Sequence, residues 1–420
     1  MQDRGMTQPS ARYRWVVLTM CCLVYTMTSV DRSAWGPASP AVGKSLAVPL
    51  GALGVFATGY YIGYVLSNAG GGFLIDRFGS RRVLAFSGLG AGAAMICFGL
   101  TDSFALGVAL QGITGLFAGV DYAAGMRSIA EWFDRREGGF VVGVFLGALS
   151  LGTVIANAVV PGLIDGWGWR SSYYLFGSIT MVMALLAYAW VRPGPTTVAA
   201  DRAGRPTVVA SFRLVLTNRD LLLVCAAGFG ALWGTYGFLT WANNLLIEGL
   251  QISGEQAGVV VIIFSATSLV VKPVIGLLIR RPDANLPRLA VITLALFAVG
   301  LLGFGFTGSY SQALVLALLL GIGSNAYSPV LAALTQVFAT LDFIGTAAGT
   351  INAVWQLGSV IVPVVVGGVY ASTGSFPLAF ATLAAGPAFA ILISFFFRQP
   401  PSAVDRLGPT APAVSTSSLS

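Results

Sequence analysis

Five ionisable side chains stand inside long apolar stretches of this chain: Asp31, Arg32, Asp121, Arg127 and Lys272. A charge in such a setting costs at least a few kcal/mol, so each is a candidate for function. The chemistry open to them is narrow. There is no histidine, so a proton in transit must sit on a carboxylate, and a histidine-based hydrolytic triad is excluded. No glycine-rich phosphate loop is present, which excludes drive by ATP. Cys21, Cys22, Cys97 and Cys225 all fall in apolar stretches, without metal-ligand spacing, and read as small packing residues. What remains is anion recognition by Arg32 and Lys272 and proton movement on Asp31 or Asp121. No catalytic residue, no metal and no cofactor is expected, only the proton as coupling ion.

Depth along a helix sharpens these roles. Asp31-Arg32 lies in the outer half of the first apolar stretch, before Ser33-Ala34-Trp35-Gly36-Pro37; the two could also form an internal ion pair near the surface. Lys272 lies about 12 Å from the inner end at Arg280, too deep to reach water easily. Pro273 beside it frees a backbone carbonyl, which suits a helix lining a cavity. Asp121 lies about 15 Å from the inner end at Glu131. It could carry a proton or be held in a permanent pair with Arg127 or Lys272. Arg127 sits one turn from the inner face, and Glu131 is expected to face Arg77 or Arg81 there. Tyr60, Tyr61, Tyr64 and Asn68 on the second stretch, Tyr236 and Trp241 on the seventh, Tyr327 on the tenth, and Asn352, Trp355 and Gln356 on the eleventh are candidate cavity residues. Of these, Tyr64, Asn68, Tyr236, Tyr327 and Asn352 are carried forward as substrate contacts.

The elements that must position these residues are membrane spans. The 420 residues are 56% hydrophobic and 9% charged, against roughly 25% charged in soluble domains. An all-α membrane protein follows. Twelve stretches are long enough to cross the roughly 30 Å hydrocarbon core: 15–38, 52–75, 83–101, 105–130, 139–164, 172–191, 221–246, 256–279, 288–307, 311–337, 346–370 and 376–397. The connection 192–220 is the longest polar one and carries Pro193, Pro195 and Pro206. It divides the chain into two six-helix halves, 15–191 and 221–398, with tails at 1–14 and 399–420, the latter expected to be disordered. The net charge of +7 does not indicate nucleic acid, because the basic residues are spread over short loops. Eighteen of the 23 Lys and Arg fall on the side of the termini, and only Lys44 and Arg170 in loops on the other. Both termini are therefore expected in the cytoplasm, as in a bacterial inner-membrane protein. No cleavable signal is apparent, and a monomer is expected.

One loop carries a family resemblance. Gly72, Leu74, Asp76, Arg77, Gly79, Arg81 and Arg82 match, in register, the signature loop of the major facilitator superfamily; Ser80 replaces its first basic position. Gly276-Leu277-Leu278-Ile279-Arg280-Arg281 is its weaker counterpart in the second half, as parallel repeats require. Asp31-Arg32 resembles the first helix of the anion:cation symporters, and Lys272-Pro273 with Gly276 the eighth helix of monocarboxylate and oxalate carriers, with lysine in place of arginine. Gly349, Asn352, Gly358, Pro363 and Gly367 resemble the symporters' eleventh helix. Gln111 and Ala118 stand where those symporters place an arginine and a coupling glutamate, and Asn243-Asn244 where they often have Leu-Pro. The resemblance implies alternating access, proton-coupled symport of a small organic anion (a monocarboxylate or sugar acid), and a gating role for Gly72, Asp76, Arg77, Gly79, Arg81, Arg82, Arg127 and Glu131. The rival expectations are a proton-driven exporter of drugs or amphiphiles, and a non-transporting ligand-binding member of the fold.

Overall fold

The computed structural model describes residues 12–133, 135–194, 215, 217–279, 281, 284–338 and 344–398. The expected tails, most of the 192–220 connection and Arg280 lie outside them. Twelve helices are long and apolar enough to cross a membrane: α1 Tyr13–Ser45, α2 Leu50–Asn68, α3 Ser80–Leu100, α4 Phe104–Trp132, α5 Phe140–Trp167, α6 Trp169–Trp190, α7 Arg219–Leu250, α8 Gly254–Ile279, α9 Leu286–Gly305, α10 Tyr310–Phe338, α11 Thr350–Thr373 and α12 Phe376–Ser394. The all-α, twelve-span architecture is the expected one. Its outward faces carry large apolar side chains open to the surroundings, among them Phe86, Phe140 and Val299, as lipid contact demands. Trp167 and Phe306 stand exposed at the ends of α5 and α9, where aromatic rings anchor at a bilayer interface.

The element boundaries correct several sequence expectations. Continuous helical geometry carries α1 to Ser45, beyond the apolar run that ends near residue 38. The helix containing α2 continues to Phe78, with Asp76 paired to Arg127 and Arg77 exposed over the Phe78 ring. The turn to α3 is then the single residue Gly79, at φ +79° and ψ +153°, a conformation that glycine alone adopts without strain.

Three spans are interrupted, each within a turn or so of an intramembrane ionisable group. The α1 helix loses one backbone hydrogen bond beside Ala34, because Pro37 has no N–H to offer the Ser33 carbonyl, while Ala34 keeps helical φ and ψ. Gly119-Val120 interrupts α4, so that Asp121 opens its second segment. Thr267 divides α8, and Pro273 lies in the following segment beside Lys272.

Within each half the spans pack at close range. A Cβ on Gly115 of α4 would collide with the Tyr60 carbonyl oxygen of α2. The halves meet chiefly at the end opposite the termini. There a Cβ on Gly54 would collide with the Pro363 oxygen of α11, and one on Gly258 of α8 would stand 2.5 Å from the Asn157 oxygen of α5. Thr58 donates to the Val360 carbonyl at 2.7 Å. Toward the end bearing the termini (the basic end), a Cβ added at Gly72, Gly143 or Gly276 would meet nothing within 4 Å. Among the described residues, no hydrogen bond or ion pair joins the halves deeper than Ser268 to Ser150, at 2.5 Å near mid-depth. Among the described residues, the halves are closed together at one end and parted at the other.

Candidate functional site

The break after Ser33 leaves Arg32 at the centre of the bundle. Its guanidinium lies 5.3 Å from the Tyr236 ring centroid of α7, a cation–π contact across the two halves. No carboxylate pairs with it among the described residues. Arg32 lines two cavities. One is walled by Ser33, Trp35, Tyr60, Tyr61, Gln111, Thr153, Asn157 and Thr240, among others. The other is lined by Tyr25, Thr28, Ser29, Tyr60, Tyr64 and Leu149. A fixed cation surrounded by hydroxyls, amides and ring faces can hold a small anion and hydrogen-bond its remaining polar groups.

Asp31 does not pair with Arg32. Adjacent residues project about 100° apart on a helix, and Asp31 turns away to α6, where Thr180 Oγ1 lies 2.9 and 3.0 Å from its two carboxylate oxygens. It is 2% exposed. Asp121 is fully buried and accepts from Ser87 Oγ of α3, with Thr28 of α1 beside it. Its second oxygen has no partner. The permanent pairs with Arg127 or Lys272 weighed from the sequence are not formed. Both carboxyls are thus held by hydroxyls alone, an arrangement that can accept and release a proton without breaking an ion pair.

Lys272 is half-buried and makes no hydrogen bond or ion pair with described residues, yet it lines neither cavity. The expected substrate contacts divide. Tyr64 and Tyr236 stand with Arg32. Asn68 spends its amide on the Tyr64 carbonyl one turn back, at 2.9 Å. Tyr327 is buried against Phe297 and shares a 2.8 Å hydrogen bond with Thr235. Asn352 lines neither cavity, and Trp241 and Trp355 donate to the carbonyls of Pro363 and Val224. The reading of the sequence missed Gln111, Thr153 and Asn157 as cavity walls. Thr153 and Asn157 carried a usable signal, two polar residues one helical turn apart on an otherwise apolar span.

At the basic end, Arg127 bridges Asp76 of the signature loop and Glu131, the latter at 3.1 Å. Glu131 also accepts from the Gly194 N–H at 3.3 Å. Its partner in the loop region is therefore reached through Arg127, and the expected pairing with Arg77 or Arg81 is not the one seen. Arg81 instead donates to the Tyr188 carbonyl at 2.6 Å and lies over that ring, and Arg77 lies over Phe78. Arg82 is exposed, and Gly72 and Gly79 have open space about them.

Comparison with known proteins agrees with this geometry. The chain is 24% identical over 386 residues to the probable sulfoacetate transporter SauU of Cupriavidus necator, covering 87% of this chain and 90% of that one. It is 22% identical over 412 residues to the probable galactarate/D-glucarate transporter GudP of Bacillus subtilis, covering 90% of each. A D-galactonate transporter of Escherichia coli is 22% identical over 389 residues, with 85% and 89% covered. Among solved structures, a bacterial homolog of the human lysosomal transporter Spinster, in an inward-facing and unoccupied conformation, shares the fold: TM-score 0.75 at 15% identity, over 93% of this chain and 97% of that one. The sequence model of the Major Facilitator Superfamily matches residues 21–363 and 241–418. The chain is a multi-pass membrane protein that belongs to the major facilitator superfamily, built as a transporter and not as an enzyme.

Proposed function

We propose that this protein is a secondary active transporter that moves a small organic anion, a monocarboxylate or sugar acid, together with protons by alternating access. The observation that carries this reading is Arg32, a cation without an ionic partner among the described residues, held in the cavity between the halves. An arginine fork suits a carboxylate or sulfonate head, and the surrounding Gln111, Thr153, Asn157 and Tyr60 suit hydroxyls on the rest of the molecule. The names of the relatives, transporters of sulfoacetate, galactarate or glucarate, and galactonate, support an organic-anion substrate. An uncompensated cation in the cavity counts against export of cationic drugs.

Asp31 and Asp121 are the proton carriers in this reading. Inward movement of a monoanion works against about 2.3 kcal/mol per 100 mV of membrane potential, which one accompanying proton cancels. The basic end faces the cytoplasm of a bacterial inner membrane in this reading, which the charge distribution supports, and the parted end then opens inward. Lys272 is the second anion contact, reached when α8 shifts relative to the first half.

The test is uptake into proteoliposomes under an imposed pH gradient, over a panel from lactate and sulfoacetate to galactonate. Uptake of at least one carboxylate or sulfonate that needs the gradient is expected. Arg32→Ala should abolish it. Full uptake by Arg32→Ala would refute the site, and no dependence on the gradient would refute the coupling.

A further inference from the structure

Between the Arg32 cavity and the closed end a set of amides and hydroxyls runs from the cavity wall to Asn243, Asn244 and Ser39, which line neither cavity. Asn157 of α5 lines the cavity. Its Nδ2 donates to the Thr153 carbonyl at 2.9 Å, which fixes the amide's orientation and aims its Oδ1 at the other half. Asn243 of α7 donates to that oxygen at 3.1 Å. One residue on, Asn244 donates to Ser39 Oγ of α1 at 2.5 Å, and Ser39 in turn donates to the Gly36 carbonyl at 2.8 Å. On the cavity side, Thr153 Oγ1 and Ser33 Oγ share a 3.0 Å hydrogen bond next to Arg32. The close approach of α7 depends on Gly36, where a Cβ would stand 3.0 Å from Asn243 Nδ2 and 3.1 Å from the Leu239 carbonyl.

Two features separate this from ordinary packing. Asn243 and Asn244 are 0% and 2% exposed, and the Oδ1 of each is buried without a partner. An unsatisfied buried acceptor is costly, so the closed arrangement is held by bonds that leave it poised to open. The bonds also run between rigid halves, whereas Asn157 belongs to the cavity wall. A change in what the cavity holds therefore acts on the wall residue that makes the bond.

We propose that Asn157 and Asn243, with Ser39 and Asn244 beside them, form an amide latch that holds the end opposite the termini closed, with Asn157 as the positioning residue that connects it to the anion cavity. The latch rests on the transporter reading only for its physiological use. Whether it holds the halves together is decided without any ligand.

The experiment is a spin-label distance measurement in lipid nanodiscs. Cys21, Cys22, Cys97 and Cys225 are replaced by Ser. Labels are placed at Lys44→Cys and Glu255→Cys, exposed positions on the two halves at the closed end. Asn243→Ala and Asn157→Ala should each raise the long-distance population at least threefold. The double variant should add little to either, because both remove the same bond. If either alanine variant fails to yield monodisperse protein, Asn243→Ser and Asn157→Ser replace them. An unchanged distance distribution in folded variants overturns the latch. A second arm adds lactate, sulfoacetate or galactonate to the protein with the native latch. A shift there that is absent in Asn243→Ala, whose residue lines neither cavity, supports the connection to the cavity; a shift that Asn243→Ala retains refutes it. If no anion shifts the native-latch protein, the anion reading fails while the ligand-free arm still decides the latch.

Discussion

The residues that matter most are those whose partners are missing or neutral. Arg32 has a ring face and hydroxyls where a structural arginine would have a carboxylate. Losing a charged hydrogen-bonding group costs about 1.5–3 kcal/mol per bond, so Arg32→Ala should weaken anion binding by ~10- to 100-fold, measured by titration of purified protein. Arg32→Lys keeps the charge without the planar fork and should fall between the two. Asp121→Asn tests a different property. The amide is nearly isosteric and can still accept from Ser87, but it cannot take up a proton. Gradient-driven accumulation should be lost while anion exchange across the membrane continues. Loss of both activities together would mean that Asp121 is structural. The sequence made Asp31, Arg32 and Asp121 conspicuous because charge in an apolar run is rare. It could not show Thr180 or Ser87 as their neighbours, since those contacts span 149 and 34 residues and the hydroxyls look like any others in a span.

At the level of the helix, interruptions and functional groups coincide. The interruptions at Ala34, at Gly119-Val120 and at Thr267 keep helical backbone angles, and each lies close to Arg32, Asp121 or Lys272. Span number and order were legible from hydropathy, and the signature loop was legible from its spacing. The breaks were less so. Pro37 marks one of them in the sequence, whereas Gly119 stands among 53 glycines with nothing to distinguish it. The end of the helix containing α2 is joined to α4 by Arg127 through Asp76, and Arg127 also pairs with Glu131 one turn along α4. These groups are partly open to solvent, so the pairs contribute little to stability, about 1 kcal/mol or less. Arg127→Gln should therefore lower the melting temperature in detergent by only a few degrees. Its effect on transport should be larger, because it frees the loop that moves with α2 and α3. A collapse of stability in Arg127→Gln would show instead that the bridge is part of the folded core.

Across the whole molecule, two kinds of close helix contact have different consequences. Gly115 meets Tyr60 inside one half, whereas Gly54 meets Pro363 between halves, and the space for a side chain is equally absent at both. Overfilling a packed contact costs roughly 1–3 kcal/mol. At Gly115 no alternative arrangement relieves the clash, so Gly115→Ala should lower the melting temperature and leave the separation of the halves unchanged. At Gly54 the halves can part at the closed end, so Gly54→Ala should transfer the cost to the equilibrium between closed and open forms. A bias of 1–3 kcal/mol changes such a ratio by about 5- to 150-fold. The Lys44 and Glu255 labels read that ratio directly, and the melting temperature reads the other outcome. If Gly54→Ala behaves as Gly115→Ala does, with lower stability and the same distance, the halves are locked together at this end and do not move apart as rigid units. Alternating access through this end would then be untenable.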